Sequence, residues 1–332
     1  MNKFAKTLCM MAVLALAFVS CKKNETTGYS FPFKGSVQQF ENVYEGDFDR
    51  AYMNPDNLKV YFEEGDAIML FNIYQDPAGF ESSHGQTYWL NAGHLVNPYG
   101  TISLQINQPG QLQSYYYGFY PAENVVDFLH LDNENRATFR MDAEQTYRTI
   151  SGVPTIPQGA LYMAAKDEDH NNLNQAVFNF QNICGVLSLK FYSPTGKTVT
   201  SIVVEDNKFE LVGDITLKIH EVDPVYMTTL FRNYNETDAA YMAELANYMN
   251  DLGFQTTGVG NAVTLNCPDG VTLGTTPEAA SRFFIVLRPL ALLEGCHITV
   301  NFTEGPAFEI NSTKNNVISP NVVRNMKPVN VG

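Results

Sequence analysis

Apolar and polar residues alternate along much of the chain, and this pattern predicts β-strands. In residues 136–141, the apolar side chains of Ala137, Phe139 and Met141 are separated by polar neighbours. The same two-residue period recurs in three further segments, 187–191, 215–219 and 298–302. Residues 67–71 instead form a continuous apolar run, which is typical of a central strand. Because alternate side chains of a strand point to opposite faces, the alternation indicates sheets with one buried face.

Short turn sequences containing Gly, Pro or Asp separate the predicted strands. They recur throughout the chain, at 64–66, 76–77, 97–98, 109–110, 194–196, 268–270 and 305–306. Many short strands divided by such turns are typical of antiparallel β-sandwiches, whereas parallel sheets usually need long helical crossovers. The sequence therefore predicts an all-β protein.

One segment departs from the strand pattern. Met242, Leu245, Met249 and Leu252 recur at intervals of three, four and three residues. This spacing predicts an amphipathic helix over 237–252, inserted in the second half of the chain. Its apolar stripe is expected to pack on a sheet and not to bind a cofactor.

The most polar stretch in the middle of the chain covers residues 166–172. It separates an apolar segment from the next strand pattern, as expected for a connection between domains. We therefore predict two β-sandwich domains of similar length, over residues 29–170 and 171–332.

The chain begins with the features of a secretory signal. Lys3 and Lys6 precede an apolar run over residues 8–19. A positive start followed by an apolar run of this length is typical of export signals and too short for a membrane-spanning helix. The sequence therefore predicts a signal peptide over residues 1–20 and a location outside the cytoplasm.

The residues that end the predicted signal resemble the bacterial lipobox. Val19, Ser20 and Cys21 fit this motif, in which the cysteine is acylated and becomes the first residue of the mature chain. The resemblance implies lipidation of Cys21, a polar tether over 21–28, and anchoring at the outer membrane or cell surface. The alternative is a plain secretory signal with an incidental cysteine.

The acidic composition narrows the range of partners. The formal net charge is −14, and it becomes −16 once Lys3 and Lys6 leave with the signal. A surface of this charge disfavours binding to nucleic acid or anionic lipid. Besides Cys21, the mature chain keeps three cysteines, which form either one disulfide or buried free thiols: Cys184, Cys267 and Cys296.

The sequence lacks the common catalytic and cofactor-binding motifs. It contains no H-E-x-x-H, G-x-S-x-G, P-loop or G-x-G-x-x-G motif, and its six histidines are scattered. The acidic stretch 167–174 offers oxygen ligands for Ca²⁺, but a solvated interdomain turn accounts for it better. We therefore predict no enzymatic activity, no cofactor and no metal site. A hydrolase with two carboxylates in a cleft is the least favoured alternative.

An aromatic cluster suggests a second kind of site. Trp89 and the run Tyr115, Tyr116 and Tyr117 could together form a platform that stacks against sugar rings. In a strand, however, alternation would bury at least half of the run. A glycan site therefore requires these side chains to be exposed together on one surface.

Six features follow one another along nearly the whole chain. They are the lipobox, the strand-like segment 29–40, the F-E-E-G-D-A-I motif at 62–68, the Y-G-F-Y-P motif at 117–121, the segment 142–165 and the ending 315–331. In this order they resemble the fimbrillin-like lipoproteins of anaerobic Gram-negative bacteria, the major and minor subunits of their pili. Phe62 departs from the family pattern, which usually has tryptophan at its position.

The resemblance implies two tandem transthyretin-like β-sandwich domains and a particular mode of assembly. In polymerising members, a trypsin-like protease removes the first strand after an Arg or Lys. A strand of a neighbouring subunit then fills the groove. The matching position is the bond between Arg50 and Ala51, within the loop 45–51. The alternative is that Arg50 is an ordinary surface residue.

We therefore predict a surface lipoprotein that acts as a pilus subunit or accessory adhesin. Its partners would be copies of itself or related subunits, joined by strand addition. Two features count against a polymerising stalk subunit: acidic residues precede Arg50, and Pro320 and Pro328 would interrupt a donated strand. The alternative function is a glycan-binding lipoprotein that uses the exposed aromatics, with a host or glycan ligand as its partner.

Overall fold

The computed structural model describes most of the predicted mature chain. The described residues are 29–37, 41–42, 62–75, 81–97, 101–108, 115–131, 134–167, 176–218, 239–240, 243–244, 247, 255–289, 291–292, 294–314, 316, 318 and 320–332. Nearly all of their regular structure is β-strand, which confirms the predicted all-β class.

The described strands are, in chain order, β1 (Tyr29–Val37), β2 (Glu41–Asn42), β3 (Ala67–Gln75), β4 (Glu81–Trp89), β5 (Leu95–Asn97), β6 (Thr101–Gln108), β7 (Tyr115–Tyr120), β8 (Val125–Leu131), β9 (Glu134–Met141), β10 (Glu144–Thr146), β11 (Arg148–Ile150), β12 (Val153–Thr155), β13 (Met163–Lys166), β14 (Ala176–Asn182), β15 (Gly185–Tyr192), β16 (Thr198–Asp206), β17 (Val212–Lys218), β18 (Gln255–Gly260), β19 (Ala262–Thr272), β20 (Ser281–Leu287), β21 (Cys296–Phe302), β22 (Phe308–Ser312), β23 (Val322–Asn325) and β24 (Val329–Asn330). Two single 3-10 turns, Ala92–His94 and Ala122–Asn124, lie between them.

The strands pair into several sheets. The largest has eight strands in the order β4-β3-β7-β13-β14-β1-β6-β5, and a four-stranded sheet has the order β18-β17-β9-β8. A five-stranded sheet has the order β10-β19-β16-β21-β22. Another joins β2-β23-β15-β20, with β24 also paired to β15, and β11 and β12 form a hairpin. Most pairs are antiparallel, as predicted. Five described pairs are parallel: β1 with β14, β10 with β19, β2 with β23, and β15 with both β23 and β24.

Two apolar clusters form the core. The first contains aromatic side chains such as Phe33, Phe119 and Phe178, and the second contains aliphatic ones such as Leu189 and Val300. The first cluster takes residues from both sides of position 170, and strands from both sides of it pair within the largest sheet. Residues 168–175 lie outside the described part, so the domain boundary stays a prediction.

The predicted alternation agrees with the burial of most strands. In β9, Ala137, Phe139 and Met141 are at most 1% exposed, as the sequence pattern predicts. In β15, by contrast, Ser188 and Lys190 are buried together with their apolar neighbours. The prediction of a single buried face is therefore wrong for β15, because both faces of this strand are covered.

The predicted helix falls mostly outside the described residues. Of 237–252, the structure describes only 239–240, 243–244 and 247, and these positions are helical and exposed. The four residues of the predicted apolar stripe are not among them. Within the described part of the chain, no helix is long and apolar enough to cross a membrane.

Candidate functional site

The residues predicted from the lipobox and the pilus family lie outside the described part of the chain. Cys21, Arg50 and Ala51 all precede residue 62, where the description resumes after β2. Their roles stay predictions. The strand before Arg50 is described, however, and its surroundings can be given in detail.

The predicted aromatic platform is not assembled on the surface. Trp89 ends the edge strand β4 and is 67% exposed. Tyr116 and Tyr117 are 9% and 1% exposed, because β7 lies between β3 and β13 with both faces covered. Tyr115 begins β7, and its side chain is outside the described part. The exposure that a glycan platform needs is therefore present for Trp89 but not for Tyr116 and Tyr117.

β1 occupies an interior position of the largest sheet. On one side it pairs parallel to β14, from Phe33 opposite Ala176 to Val37 opposite Phe180. On the other side it pairs antiparallel to β6 along residues 29–35. The first strand of the described chain is therefore hydrogen-bonded along both edges.

The side chains of β1 alternate between the core and the surface. Phe33 is 0% exposed, and its ring centroid lies 4.8 Å from that of Phe178. Lys34 is exposed, and the Ser36 hydroxyl donates a 3.4 Å hydrogen bond to the Asn179 side chain. Gly35 faces the core again, which continues the two-residue period. The strand thus contributes one large apolar side chain to the first core cluster.

The segment that carries β1 also reaches a second sheet. In β2, Glu41 pairs with Val322 and Asn42 with Val323, so β2 covers part of the outer edge of β23. β1 and β2 therefore pair with strands of two different sheets. The sequence does not predict β2, because two polar residues carry no strand signal.

Two of the motifs that carry the family resemblance meet in the structure. Asp66, from the F-E-E-G-D-A-I motif, accepts a 2.7 Å hydrogen bond from the Glu63 backbone N–H. Its other oxygen accepts a 3.1 Å hydrogen bond from the Tyr120 hydroxyl, in the Y-G-F-Y-P motif. Burial raises the pKa of Asp66 above its ordinary value and raises that of Tyr120 as well. The two motifs therefore act together as a buried polar joint.

This joint predicts a pH dependence of stability. Because the pKa of Asp66 is raised in the folded chain, its carboxyl binds a proton more readily there than in the unfolded chain. Its contribution to the free energy of unfolding is therefore largest at low pH and falls as the pH rises through the raised pKa. Asp66→Asn is expected to flatten this slope from about pH 4 upwards. Urea unfolding over this range tests it, with Glu64→Gln, at an exposed neighbour, as the control. Equal slopes for native and Asp66→Asn would contradict it.

A groove of about 530 Å³ lies beside the joint. Four carboxylate residues line it, Asp66, Glu123, Asp142 and Glu144. Asp142 accepts a 2.9 Å hydrogen bond from the Asn124 amide, and Asp66 has the partners given above. Both carboxylates are therefore held in the groove wall by hydrogen bonds. In the part of the chain that the structure describes, no three His, Cys, Asp or Glu side chains are arranged to hold a metal ion.

The residue Asp167, considered for Ca²⁺ binding, and the three cysteines considered for a disulfide are all buried in the protein. Asp167, from the acidic stretch considered for Ca²⁺, is buried and accepts a 3.0 Å hydrogen bond from the Val177 N–H. Residues 168–174 of that stretch are outside the described part. The three cysteines considered for a disulfide are free and buried, which favours the second alternative given above: Cys184, Cys267 and Cys296.

Comparisons with known proteins give structural neighbours only. No family model and no curated protein matches the chain. One solved neighbour, named for a proposed role in cell adhesion, comes from Bacteroides uniformis; it is 13% identical, with 93% of this chain and 94% of that chain covered and a TM-score of 0.42. A fimbrial assembly protein from Parabacteroides distasonis is 9% identical, with 88% of each chain covered and a TM-score of 0.37. A protein from Bacteroides thetaiotaomicron is named for proposed polysaccharide binding and is 10% identical. The match covers 85% of this chain and 80% of that chain, with a TM-score of 0.35.

Proposed function

We propose that the protein is a cell-surface adhesion protein or pilus subunit that joins a neighbouring subunit by strand exchange at the position of β1. The observation that carries this proposal is the interior place of β1, paired with β14 and β6, in a segment that precedes Arg50. The protein has no enzymatic role in this proposal. Its work is to form contacts outside the cell.

The energetics of the sheet support the proposal. Removal of β1 would leave a space between β14 and β6, here called the β1 gap. The facing edges of both strands would lose their hydrogen-bonding partners, and the buried side chains of Phe178 and Ile102 would lose the cover of Phe33 and Gly35. A strand supplied by a neighbour restores both the hydrogen bonds and the apolar burial.

Proteolysis would create the β1 gap. Cleavage between Arg50 and Ala51 separates both β1 and β2 from the rest of the chain, because both strands precede the bond. The released segment keeps Cys21, so a lipid on this residue would stay with the removed part. The lipid anchor then holds the uncut precursor, and the cut chain is held by its new neighbour.

The glycan-binding alternative has weaker support. It needs several aromatic side chains on one exposed surface, and only Trp89 among the proposed ones is described as exposed. A single exposed tryptophan is common on protein surfaces and does not by itself indicate a sugar site. We therefore favour strand exchange.

Limited trypsin digestion of the chain from residue 22 onwards tests the proposal. The native protein and the Lys59→Ala control are expected to give a new N-terminus at Ala51, whereas Arg50→Ala is expected to stay uncut there. After cleavage, the native protein should exchange its bound segment for a labelled peptide of residues 29–42 over several days. Size-exclusion chromatography measures how much labelled peptide elutes with the protein. The uncut Arg50→Ala variant should take up far less peptide, because its own β1 stays covalently attached.

Two results would contradict the proposal. The first is a chain whose Arg50–Ala51 bond stays intact while trypsin cuts elsewhere. The second is a cut chain that holds no peptide under any condition in which it remains folded by circular dichroism. Binding of a glycan array by the uncut, monomeric protein would favour the alternative.

A further inference from the structure

We propose that the β1 gap selects its occupant by two side-chain positions, an aromatic residue followed two residues later by glycine. The donor is then a related subunit whose donated strand carries this aromatic-x-glycine triplet. This inference rests on the proposed function and specifies its partner. Phe33 and Gly35 of β1 are the residues from which it is read.

The requirement for an aromatic residue comes from the buried position of Phe33 in the first core cluster. Its side chain is 0% exposed, and its ring packs against Phe178 with centroids 4.8 Å apart and planes inclined by 30°. Phe178 is itself 0% exposed and belongs to the same core cluster. A strand without a large side chain here would leave a cavity in the centre of the cluster, which the surrounding side chains fill only partly.

The glycine requirement comes from close packing and not from backbone conformation. Gly35 is absent from the described glycines with positive φ, so other residues could adopt its backbone angles. A Cβ atom at this position, however, would lie 3.0 Å from Ile102 Cγ1 and 3.2 Å from Phe180 Cε2. Both side chains are 0% exposed, so neither has solvent to move into.

Phe180 is held from its other side as well. A Cβ atom at Gly118, in β7, would lie 2.8 Å from Phe180 Cζ, so the ring already lies against the backbone of that strand. Phe62 packs edge-on against the same ring at 5.4 Å between centroids. The ring therefore fills a narrow space between two glycines. A methyl group at position 35 would require this ring or the Ile102 side chain to shift by a few tenths of an ångström.

The intervening position carries no such requirement. Lys34 is exposed and points away from the core, between the two buried positions. We expect the gap to accept almost any residue there. This position therefore supplies a matched control for the two selective ones.

The sequence indicates where the donor comes from. Aromatic-x-glycine triplets occur at 33–35, 44–46 and 116–118 within these 332 residues. The first two precede Arg50 and leave with the removed segment. The third lies within β7, which is already paired with β3 and β13. Residues 51–332 thus offer no such triplet free for donation, and the inference assigns the donated strand to a different subunit.

A peptide-exchange experiment tests the selection. A site-specific protease sequence is inserted after Arg50 of the chain from residue 22 onwards, so that cleavage does not depend on trypsin. The cut protein is then incubated with fluorescent peptides of residues 29–37, either native or carrying Phe33→Ala, Lys34→Ala or Gly35→Ala. The native and Lys34→Ala peptides are expected to bind equally. Gly35→Ala should bind about tenfold more weakly, and Phe33→Ala more than about a hundredfold.

A compensating variant of the acceptor sharpens the test. Ile102→Ala removes both side-chain atoms that would meet the new Cβ, Cγ1 at 3.0 Å and Cδ1 at 3.2 Å, so it should restore much of the affinity for the Gly35→Ala peptide. Circular dichroism checks that this variant folds. If it does not fold, Ile102→Val, which removes only Cδ1, should give a smaller gain. A steric origin predicts this rescue, whereas an effect of the peptide's own conformation does not.

The outcomes separate the two proposals. If the native peptide does not enter the cut chain, the proposed strand exchange is wrong and the inference falls with it. If the native and Gly35→Ala peptides enter equally well, strand exchange stands and the selection rule is wrong. Multimers formed by the cut chain alone, without added peptide or partner, would overturn the assignment of the donor to a different subunit.

Discussion

Replacing Phe33 by alanine is expected to lower the free energy of unfolding of the intact chain by about 3–5 kcal/mol. The side chain is 0% exposed and packs against Phe178, so its removal leaves a cavity in the first core cluster. Urea unfolding followed by tryptophan fluorescence and circular dichroism measures the change. Lys34→Ala, in the same strand but on the exposed side, is the matched control and should stay within about 0.5 kcal/mol of the native value.

The same variants also measure how firmly β1 is held. Phe33→Ala should make the segment before Arg50 exchange hydrogen faster than in the native chain, because local opening becomes easier. A loss of stability below about 1 kcal/mol would be too small for a buried phenylalanine. That result would mean that β1 does not lie in the interior of the sheet in solution.

Gln145→Ala is expected to lower the free energy of unfolding by about 2–4 kcal/mol. The Gln145 side chain is 7% exposed and pairs with both backbone groups of Val286. Its Nε2 donates a 2.7 Å hydrogen bond to the carbonyl oxygen, and its Oε1 accepts a 3.0 Å bond from the N–H. Alanine would leave two buried backbone groups of β20 without partners.

Matched variants separate this effect from general changes in β10. Thr146→Ala alters an exposed neighbour in the same strand and should change the stability little. Gln145→Glu keeps the acceptor but loses the donor, so its loss should include the cost of an unpaired carbonyl and a buried charge. A Gln145→Ala variant as stable as Thr146→Ala would contradict the expected contribution of the two hydrogen bonds to Val286.

The all-β class could be predicted from the sequence because strand burial leaves a local signal. In β9, β17 and β21 the buried residues recur at every second position, as the pattern of the sequence predicts. In β15 the same alternation gave a wrong result for one face. Ser188 and Lys190 are polar, yet they are buried, because further parts of the protein cover that side. Residue type alone does not report such coverage.

The pairing partners could not be predicted, since they depend on residues far apart in the chain. Gln145 and Val286 are 141 residues apart, and neither has a neighbour that indicates the other. The parallel pairs of β1 with β14 and of β10 with β19 also leave no local pattern. The sequence predicts the first strand over 29–40, and β1 (Tyr29–Val37) agrees with this. The requirement for glycine at position 35 needed the positions of Ile102 and Phe180.

The parallel pairing of β1 with β14 also determines the order in which the sheet can be completed. Ser36 and Asn179, which face each other across this pair, are 143 residues apart. During synthesis, β1 is made first. It cannot pair with β14 until that strand, much later in the chain, has been made as well. Every newly made molecule therefore passes through a stage in which β1 lacks this neighbour.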